Sequence, residues 1–543
     1  MKENMPTKGG SAFGGENKKK PTVLMILDGW GEAPKSRENA ISLARTPFFK
    51  DVKGKYPFTV LDATGKAVGL DVDQMSGSEA GHINIGGGRV VTQESYKIDM
   101  AIKSGDFFNN PVLVDAARNC KIKKSNFHIM GLMSTYDSQH INPEHFRGVL
   151  RLAKKNGIEE VYCHLFTDGR DSYDNSALAH LKDYKKIIEN EGIGKIASIS
   201  GRFWAMDRAK NWDRLAKAYN AIVFSKGEIA QSPEEAIENA YARGEGDETV
   251  LPTIIMEDGE PVSRLEENDT MVFYNFRSDR ARQFTKLFVN VSDEIKEKNN
   301  LPKLEKIKNL YFVAMSDFGP DMDVHTAFVD VSLDNALPAV LEDHKQLYIS
   351  ESEKYAHITY FFNGGYPDPV GGEDRMTIQS PVVKSYASVP EMSANKVADY
   401  VINSINSGKH DFIALNFANA DMLGHTGDII ATVRGIEFVD KQMIRIHKAV
   451  SEKGGQIILT SDHGNADDMI DIIDGKKMAN TFHTKNKVPF CIIGDDFKNR
   501  KICSGGVLGN VAPTILEIMG VEKPREMESK SLLLASSISN KSY

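Results

Sequence analysis

Cysteine is scarce in this chain. There are four in 543 residues, Cys120, Cys163, Cys491 and Cys503, and none forms a CxxC pair. That excludes a disulfide framework and a zinc knuckle and fits a reducing compartment. Long apolar runs are missing too. No stretch reaches the ~18 residues of a membrane-spanning helix. The run Val23–Leu27, behind Lys18, Lys19 and Lys20, stops at Asp28 and is too short for the apolar core of a secretory signal. A cytoplasmic protein without a membrane partner is therefore expected. Nor is there an excess of positive charge: 67 Lys and Arg face 75 Asp and Glu, a net charge of −8. This argues against a general nucleic-acid binder, but it leaves room for a small anionic substrate at a local arginine cluster.

What the chain does contain is an ordinary globular composition, 41% apolar and 26% charged, over a length too great for one core. Residues 1–20 are rich in Gly, Lys, Asn and Ser, without apolar periodicity, and read as a disordered extension. From Pro21 onward short β-rich runs alternate with amphipathic stretches, the pattern of an α/β fold. Strands are predicted at 22–27, 126–132, 159–166, 195–200, 270–276, 309–315, 412–417, 456–460 and 488–493. Helices are predicted at 174–190, 210–225, 395–406 and 429–451. Polar or glycine-containing motifs follow many of these strands: DGWG, TDGRDS, SGRFWAMDR, NFRSDR, ANADMLGH and SDHGNADD. Ligands of open α/β sheets bind beyond the carboxyl ends of the strands, so the set points to one composite site or two facing ones.

The motifs separate by residue type. Asp28, Asp421, His425, Asp462, His463 and His483 come from the two ends of the chain. Asp421 and His425 are spaced i, i+4, which puts both on one face of a helical turn. Carboxylates mixed with imidazoles, and no thiolate, suit Mn²⁺, Mg²⁺ or Zn²⁺. Arg170, Arg202, Arg208, Arg277 and Arg280, with Asp171, come from the middle. Converging guanidinium forks suit a small polyanion. The glycine-flanked Ser78, in MSGSEAGHINIGGG, can present its hydroxyl on a sharp turn, and a two-metal site would make it a nucleophile. Lys354 lies between the groups in sequence and suits charge neutralisation on a transferring phosphoryl group or protonation of a leaving oxygen. The arrangement predicts a metal domain made by both chain ends, with a second α/β domain inserted.

Together DGWG, SEAGHINIGGGRVV, TDGRDS, SGRFWAMDR, NFRSDR, SEKYAHITYFFNGG, DMLGHTG, SDHGNADDM and FHTKNKVP resemble the cofactor-independent phosphoglycerate mutases, in that family's order, from about residue 22 to 530. The resemblance implies an alkaline-phosphatase-like domain from 21–92 and 321–543, holding two divalent ions. These are usually manganese, with Mg²⁺, Co²⁺ or Zn²⁺ as the other candidates. An inserted substrate-binding domain would span 93–320. Carried over by position, Asp421, His425 and His483 would bind one ion, and Asp28, Ser78, Asp462 and His463 the other. His140, Arg170, Asp171, Arg202, Arg208, Arg277, Arg280 and Lys354 would contact phosphoglycerate. Ser78 and Lys354 would be catalytic in interconverting 3- and 2-phosphoglycerate, in a monomer with no nucleic-acid partner. Gly77 and Ala80 depart from the family's usual Asn and Val. Another phosphomutase or metal-dependent phosphatase of the same superfamily is the nearest alternative, but a pentose phosphate lacks the carboxylate these arginines would serve. A non-catalytic scaffold would tend to lose the nucleophile and metal ligands present here.

Overall fold

The computed structural model describes residues 20–72, 74–289, 307–319, 321–329, 333–473 and 475–534. The expected disordered extension, 1–20, lies outside these apart from Lys20. The chain divides into two compact units. The first takes residues up to Val68, Ser76–Val91 and the chain from Leu333 on; the second takes Gly69–Met75 and Thr92–Ser332.

The first unit is built on a seven-stranded sheet. Its order is Asp374–Ile378, Gln346–Glu351, Phe412–Phe417, Thr22–Leu27, Gln456–Thr460, Val488–Ile493 and Phe58–Leu61. The first five are mutually parallel and the last two pair antiparallel. The central strand, TVLMIL, is buried at every position, as a strand with parallel neighbours and covered faces must be. Val23, Met25 and Leu27 share their core with Ile436, Val439, Met443 and Ile446, one apolar stripe of the helix Ile429–Glu452. Asp428 caps that helix by accepting from the Ile430 and Ala431 N–H groups.

The second unit has its own nine-stranded sheet and its own core. The order is His325–Phe328, Tyr311–Ser316, Thr270–Phe273, Phe127–Met133, Val161–Thr167, Lys195–Gly201, Thr253–Glu257 and Glu228–Ala230, with Glu260–Pro261 paired to Thr253–Glu257. The first six run parallel. Two expectations need correction. His325–Phe328 pairs with Tyr311–Ser316, so residues beyond 320 still belong to this sheet, and the return to the first unit comes at 333 rather than 321. The strand expected over 270–276 stops at Phe273. Tyr274 N–H still donates to Met130 O at 3.1 Å, and beyond it the buried Asn275 side chain takes over, its Oδ1 accepting the Leu132 N–H at 3.0 Å.

Asn275→Leu leaves that buried N–H unpaired, and the loss should be about 2 kcal/mol of stability. A urea titration with an unchanged midpoint would show that the side chain does not act as a ladder partner.

Candidate active site

In the first unit the polar motifs stand at the carboxyl ends of adjacent parallel strands. Asp28 follows Thr22–Leu27, Asp421 follows Phe412–Phe417, and Asp462 with His463 follows Gln456–Thr460. The backbone ties the first two together: Asp28 N–H donates to Phe417 O at 3.1 Å, and Asp421 N–H donates to Asp28 O at 3.1 Å. Asp462 Oδ1 accepts from the N–H groups of His463 (3.0 Å) and Gly29 (3.3 Å). Such close approach requires glycine. A Cβ on Gly29, whose φ is +73°, would lie 2.7 Å from Asp421 Cα, and one on Gly81 would lie 2.6 Å from Asp462 Cβ.

Ser78 is the first residue of the helix Ser78–Gly87, after the extended Gly77. Its hydroxyl is buried, 3.0 Å from His463 Nε2 and 3.2 Å from Asp28 Oδ1. Lys354, in the turn after Gln346–Glu351, sends its ammonium to Ser78 Oγ and Asp28 Oδ1, both at 2.7 Å, and to Asp421 Oδ2 at 2.5 Å. Burial opposes charge on Lys354, but Asp28, Asp421 and Asp462 outweigh it and hold the ammonium above its ordinary value. Burial and the neighbouring Asp462 carboxylate push Asp28 up, against the pull of Lys354.

The histidines show what this donor set suits. His425 Nδ1 is 2.8 Å from Thr481 O, His483 Nδ1 is 2.7 Å from Ser76 O and His463 Nδ1 is 3.2 Å from Gly464 O. A carbonyl only accepts, so each Nδ1 carries a proton and each Nε2 is turned to the carboxylates. His425 and His483 Nε2 lie 3.2 and 3.3 Å from Asp421 Oδ1 and 3.2 Å from each other. His463 Nε2 is 3.5 Å from both Asp28 Oδ1 and Asp462 Oδ2, and 4.0 Å from Asp421 Oδ1. Burial, with His463 nearby, lowers His483 to about 4, keeping its lone pair free. Asp462 Oδ2 is buried without a hydrogen-bond donor. Three buried carboxylates against one ammonium, with imidazole lone pairs among them, suit divalent cations. Two groupings lie within ligand reach: Asp421, His463 and His483, and Asp28, His82 and Asp462.

The second unit repeats the placement with opposite charge. Arg170 and Asp171 follow Val161–Thr167, Arg202 follows Lys195–Gly201, and Arg277 and Arg280 come after Thr270–Phe273. Arg202 is buried, with Nη1 2.6 Å from Asp168 Oδ1 and 3.1 Å from Asp171 Oδ1. Asp279 receives Arg208 at 2.7 Å and Arg277 at 3.1 Å. Arg280 donates to Met206 O, and Arg170 reaches Glu248 at 3.5 Å. Burial, reinforced by Arg208, Arg202 and Arg170, lowers Arg280 to about 10. Positive charge has been gathered here beyond what the carboxylates balance, which is what an anion site requires. His140 joins the cluster, facing Asp171, Arg202, Asp279 and Arg277. Of the expected substrate residues only Lys354 stands elsewhere, in the first unit beside Ser78.

The chain matches the Metalloenzyme superfamily over residues 20–523. It is 44% identical over 518 residues to the 2,3-bisphosphoglycerate-independent phosphoglycerate mutase of Clostridioides difficile, covering 95% of this chain and 99% of that one. It is 45% identical over 520 residues to the enzyme of the same name from Methanococcoides burtonii, with the same coverage. The chain belongs to the 2,3-bisphosphoglycerate-independent phosphoglycerate mutases. A solved Leishmania mexicana phosphoglycerate mutase, determined at low cobalt concentration, superposes with a TM-score of 0.82. That match has 27% identity and covers 95% of this chain and 98% of the other.

Other residues in or near these clusters, Asp279 of NFRSDR among them, were not among those expected. His82 was visible as the residue one turn after Ser78 in SEAGHINIGGG. Asn416 was visible as the lone polar residue late in the strand FIALNF, and Asp168 as the first acid of TDGRDS.

Burial, helped by Arg202 and Arg277 and partly offset by Asp171 and Asp279, lowers His140 to about 3 from an ordinary 6.5. Above about pH 6.5 the folded and unfolded chains are both neutral here. As pH falls below it, only the unfolded chain takes the proton, so stability is lost. His140 should account for about 2 kcal/mol of the fall between pH ~7 and ~5. His140→Gln should flatten the pH dependence of denaturant unfolding by that amount; identical slopes in the two proteins would contradict it.

Proposed function

We propose that this enzyme interconverts 3-phosphoglycerate and 2-phosphoglycerate through a phosphoserine at Ser78, with two divalent ions, Mn²⁺ foremost. The observation that carries the reading is the setting of the Ser78 hydroxyl. It is buried at a helix N-terminus, between the Lys354 ammonium at 2.7 Å and His463 Nε2 at 3.0 Å. Asp421, His425 and His483 would hold one ion, and Asp28, Ser78, Asp462 and His463 the other. When bound, the ions would favour loss of the Ser78 proton and stabilise negative charge developing on the transferring group. The Ser78 Oγ–P bond forms as the substrate O–P bond breaks, and the released glycerate oxygen takes up a proton. Attack by the adjacent glycerate hydroxyl on phosphoserine then returns the group to the other position. Lys354, kept charged by its carboxylate neighbours, stabilises the phosphoryl oxygens and stands in position to protonate the leaving one.

The arginines of the second unit, with His140 and Asp171, suit the carboxylate and phosphate of one small substrate. Water must stay out while phosphoserine exists, or the mutase becomes a phosphatase. A pentose phosphate would leave the carboxylate-binding capacity of this cluster unused. On this reading the protein is a cytoplasmic monomer, consistent with its unpaired cysteines and with the lack, among the described residues, of any helix long and apolar enough to cross a membrane.

Turnover of 3-phosphoglycerate, followed by coupling to enolase, should vanish on chelation and return with Mn²⁺. Ser78→Ala should lower kcat by at least ~10³-fold with the fold intact. Brief incubation with phosphate-labelled substrate should place label on Ser78. Label on a histidine, or full turnover by protein shown to be metal-free, would overturn the mechanism.

A further inference from the structure

His82 lies one helical turn after Ser78 and is wholly buried. Its Nδ1 is 2.8 Å from Ser78 O, and since a carbonyl only accepts, Nδ1 carries the proton. Its Nε2 is 3.0 Å from Asn416 Nδ2. The same amide nitrogen donates to Asp28 Oδ2 at 2.7 Å. That second contact fixes the orientation of Asn416, because the flipped amide would press its oxygen against the carboxylate. An amide nitrogen only donates, so His82 Nε2 accepts. His82 is thus the neutral Nδ1–H tautomer with both ring nitrogens engaged. Asn416 Oδ1 is left buried without a partner, a cost borne to keep both amide hydrogens on His82 and Asp28. Asp462 Oδ2 lies 3.2 Å from His82 Nδ1, yet the N–H is aimed at the Ser78 carbonyl and the carboxylate oxygen receives no donor.

By distance alone His82 groups with Asp28 and Asp462 as a metal ligand. Its tautomer says otherwise. We propose that His82 and Asn416 are positioning residues for the ion held by Asp28 and Asp462, and that His82 is not a ligand. Asn416 engages Asp28 Oδ2, so that Oδ1 faces Ser78 and Lys354. His82 links this strand residue to the carbonyl of the nucleophile itself, so the helix carrying Ser78 is keyed to the strand carrying Asn416. Asp462 Oδ2 keeps its lone pairs for an ion. His425, His463 and His483 differ on the point that matters: each gives Nδ1–H to a carbonyl and points Nε2 at the carboxylates, with no amide donor on it and, at His463, the Ser78 hydroxyl beside it. The inference rests on the two-ion reading above.

Calorimetric titration of metal-free protein with Mn²⁺ tests it. The wild type should take up two ions. Asn416→Leu and His82→Leu should each bind one of them 10–100-fold more weakly, by the usual effect of losing such a partner, and the other within about twofold. His82→Gln, which keeps one donor and one acceptor, should recover most of the affinity. General damage to the fold would weaken both sites alike, and thermal melting of each variant checks for it. If His82 were a ligand, Asn416→Leu would free its Nε2 and spare the affinity. Nitrogen NMR of histidine-labelled wild type with Mg²⁺ needs no variant: His82 should keep its Nδ1–H tautomer, with Nε2 unmoved by the ion. Unaltered binding of both ions by Asn416→Leu, or a coordinated His82 Nε2, overturns this inference alone. A wild type that takes up no ion overturns the two-ion reading with it.

Discussion

Three carboxylates buried around a single ammonium set the terms for the first unit. Like charges taken out of water repel strongly, and one lysine cannot balance Asp28, Asp421 and Asp462. The fold holds them together regardless, because each sits where a parallel strand ends beside its neighbour and the backbone leaves no alternative position. Gly29 and Gly81 remove the side chains that would push these ends apart. Neutral donors then fix one oxygen of each acid, Gly29 and His463 N–H groups for Asp462, Asn465 for Asp421 and Asn416 for Asp28, while Lys354 takes the other oxygen of Asp28 and of Asp421. A site so constrained is negative by construction, and its remaining requirement is for cations.

The second unit solves the opposite problem with the same geometry. Parallel strand ends bring Arg170, Arg202, Arg277 and Arg280 together, with Arg208 close by. Asp168, Asp171 and Asp279 pin individual guanidinium groups without neutralising the whole. Arg280 records the imbalance: burial depresses it first, and Arg208, Arg202 and Arg170 add to that more than Asp279 offsets. Of these acids Asp168 is the most internal. It takes Ser134, Arg202 and the N–H groups of Arg170 and Asp171 on one carboxylate, so the loop carrying Arg170 is built around it.

Much of this was legible because residue type and strand-end position are both sequence properties. TVLMIL, FIALNF and QIILT read directly as buried strands, and the acids and histidines just after them read as one site. What escaped depended on contacts that no spacing encodes. Gln346–Glu351 mixes polar residues into a buried strand, since Gln346 is satisfied by the Pro338 and Leu341 carbonyls. The strand at 270 ends at Phe273, and beyond Tyr274 the Asn275 side chain, not backbone, meets the Leu132 N–H. The second unit continues past 320 because His325–Phe328 finds its partner in Tyr311–Ser316, a pairing four residues long that leaves almost no periodic signal. His82 and Asn416 look like a helix residue and a strand residue until the Asn416 amide is seen to join the His82 ring to Asp28.

The four histidines near Ser78 show why residue lists alone underdetermine a metal centre. All four lie close to carboxylates, and distance cannot rank them. The discriminating feature is what the far nitrogen does. Where a backbone carbonyl claims Nδ1–H and Nε2 faces acids with no side-chain amide on it, as at His425, His463 and His483, the lone pair suits a cation. Where a side-chain amide claims Nε2 as well, as at His82, the ring has nothing left to give an ion and can only transmit position. The difference is set by one amide nitrogen on the neighbouring strand. On the two-ion reading, the division between ligand and support is therefore set by the sheet register that places Asn416 beside Ile26, two residues before Asp28.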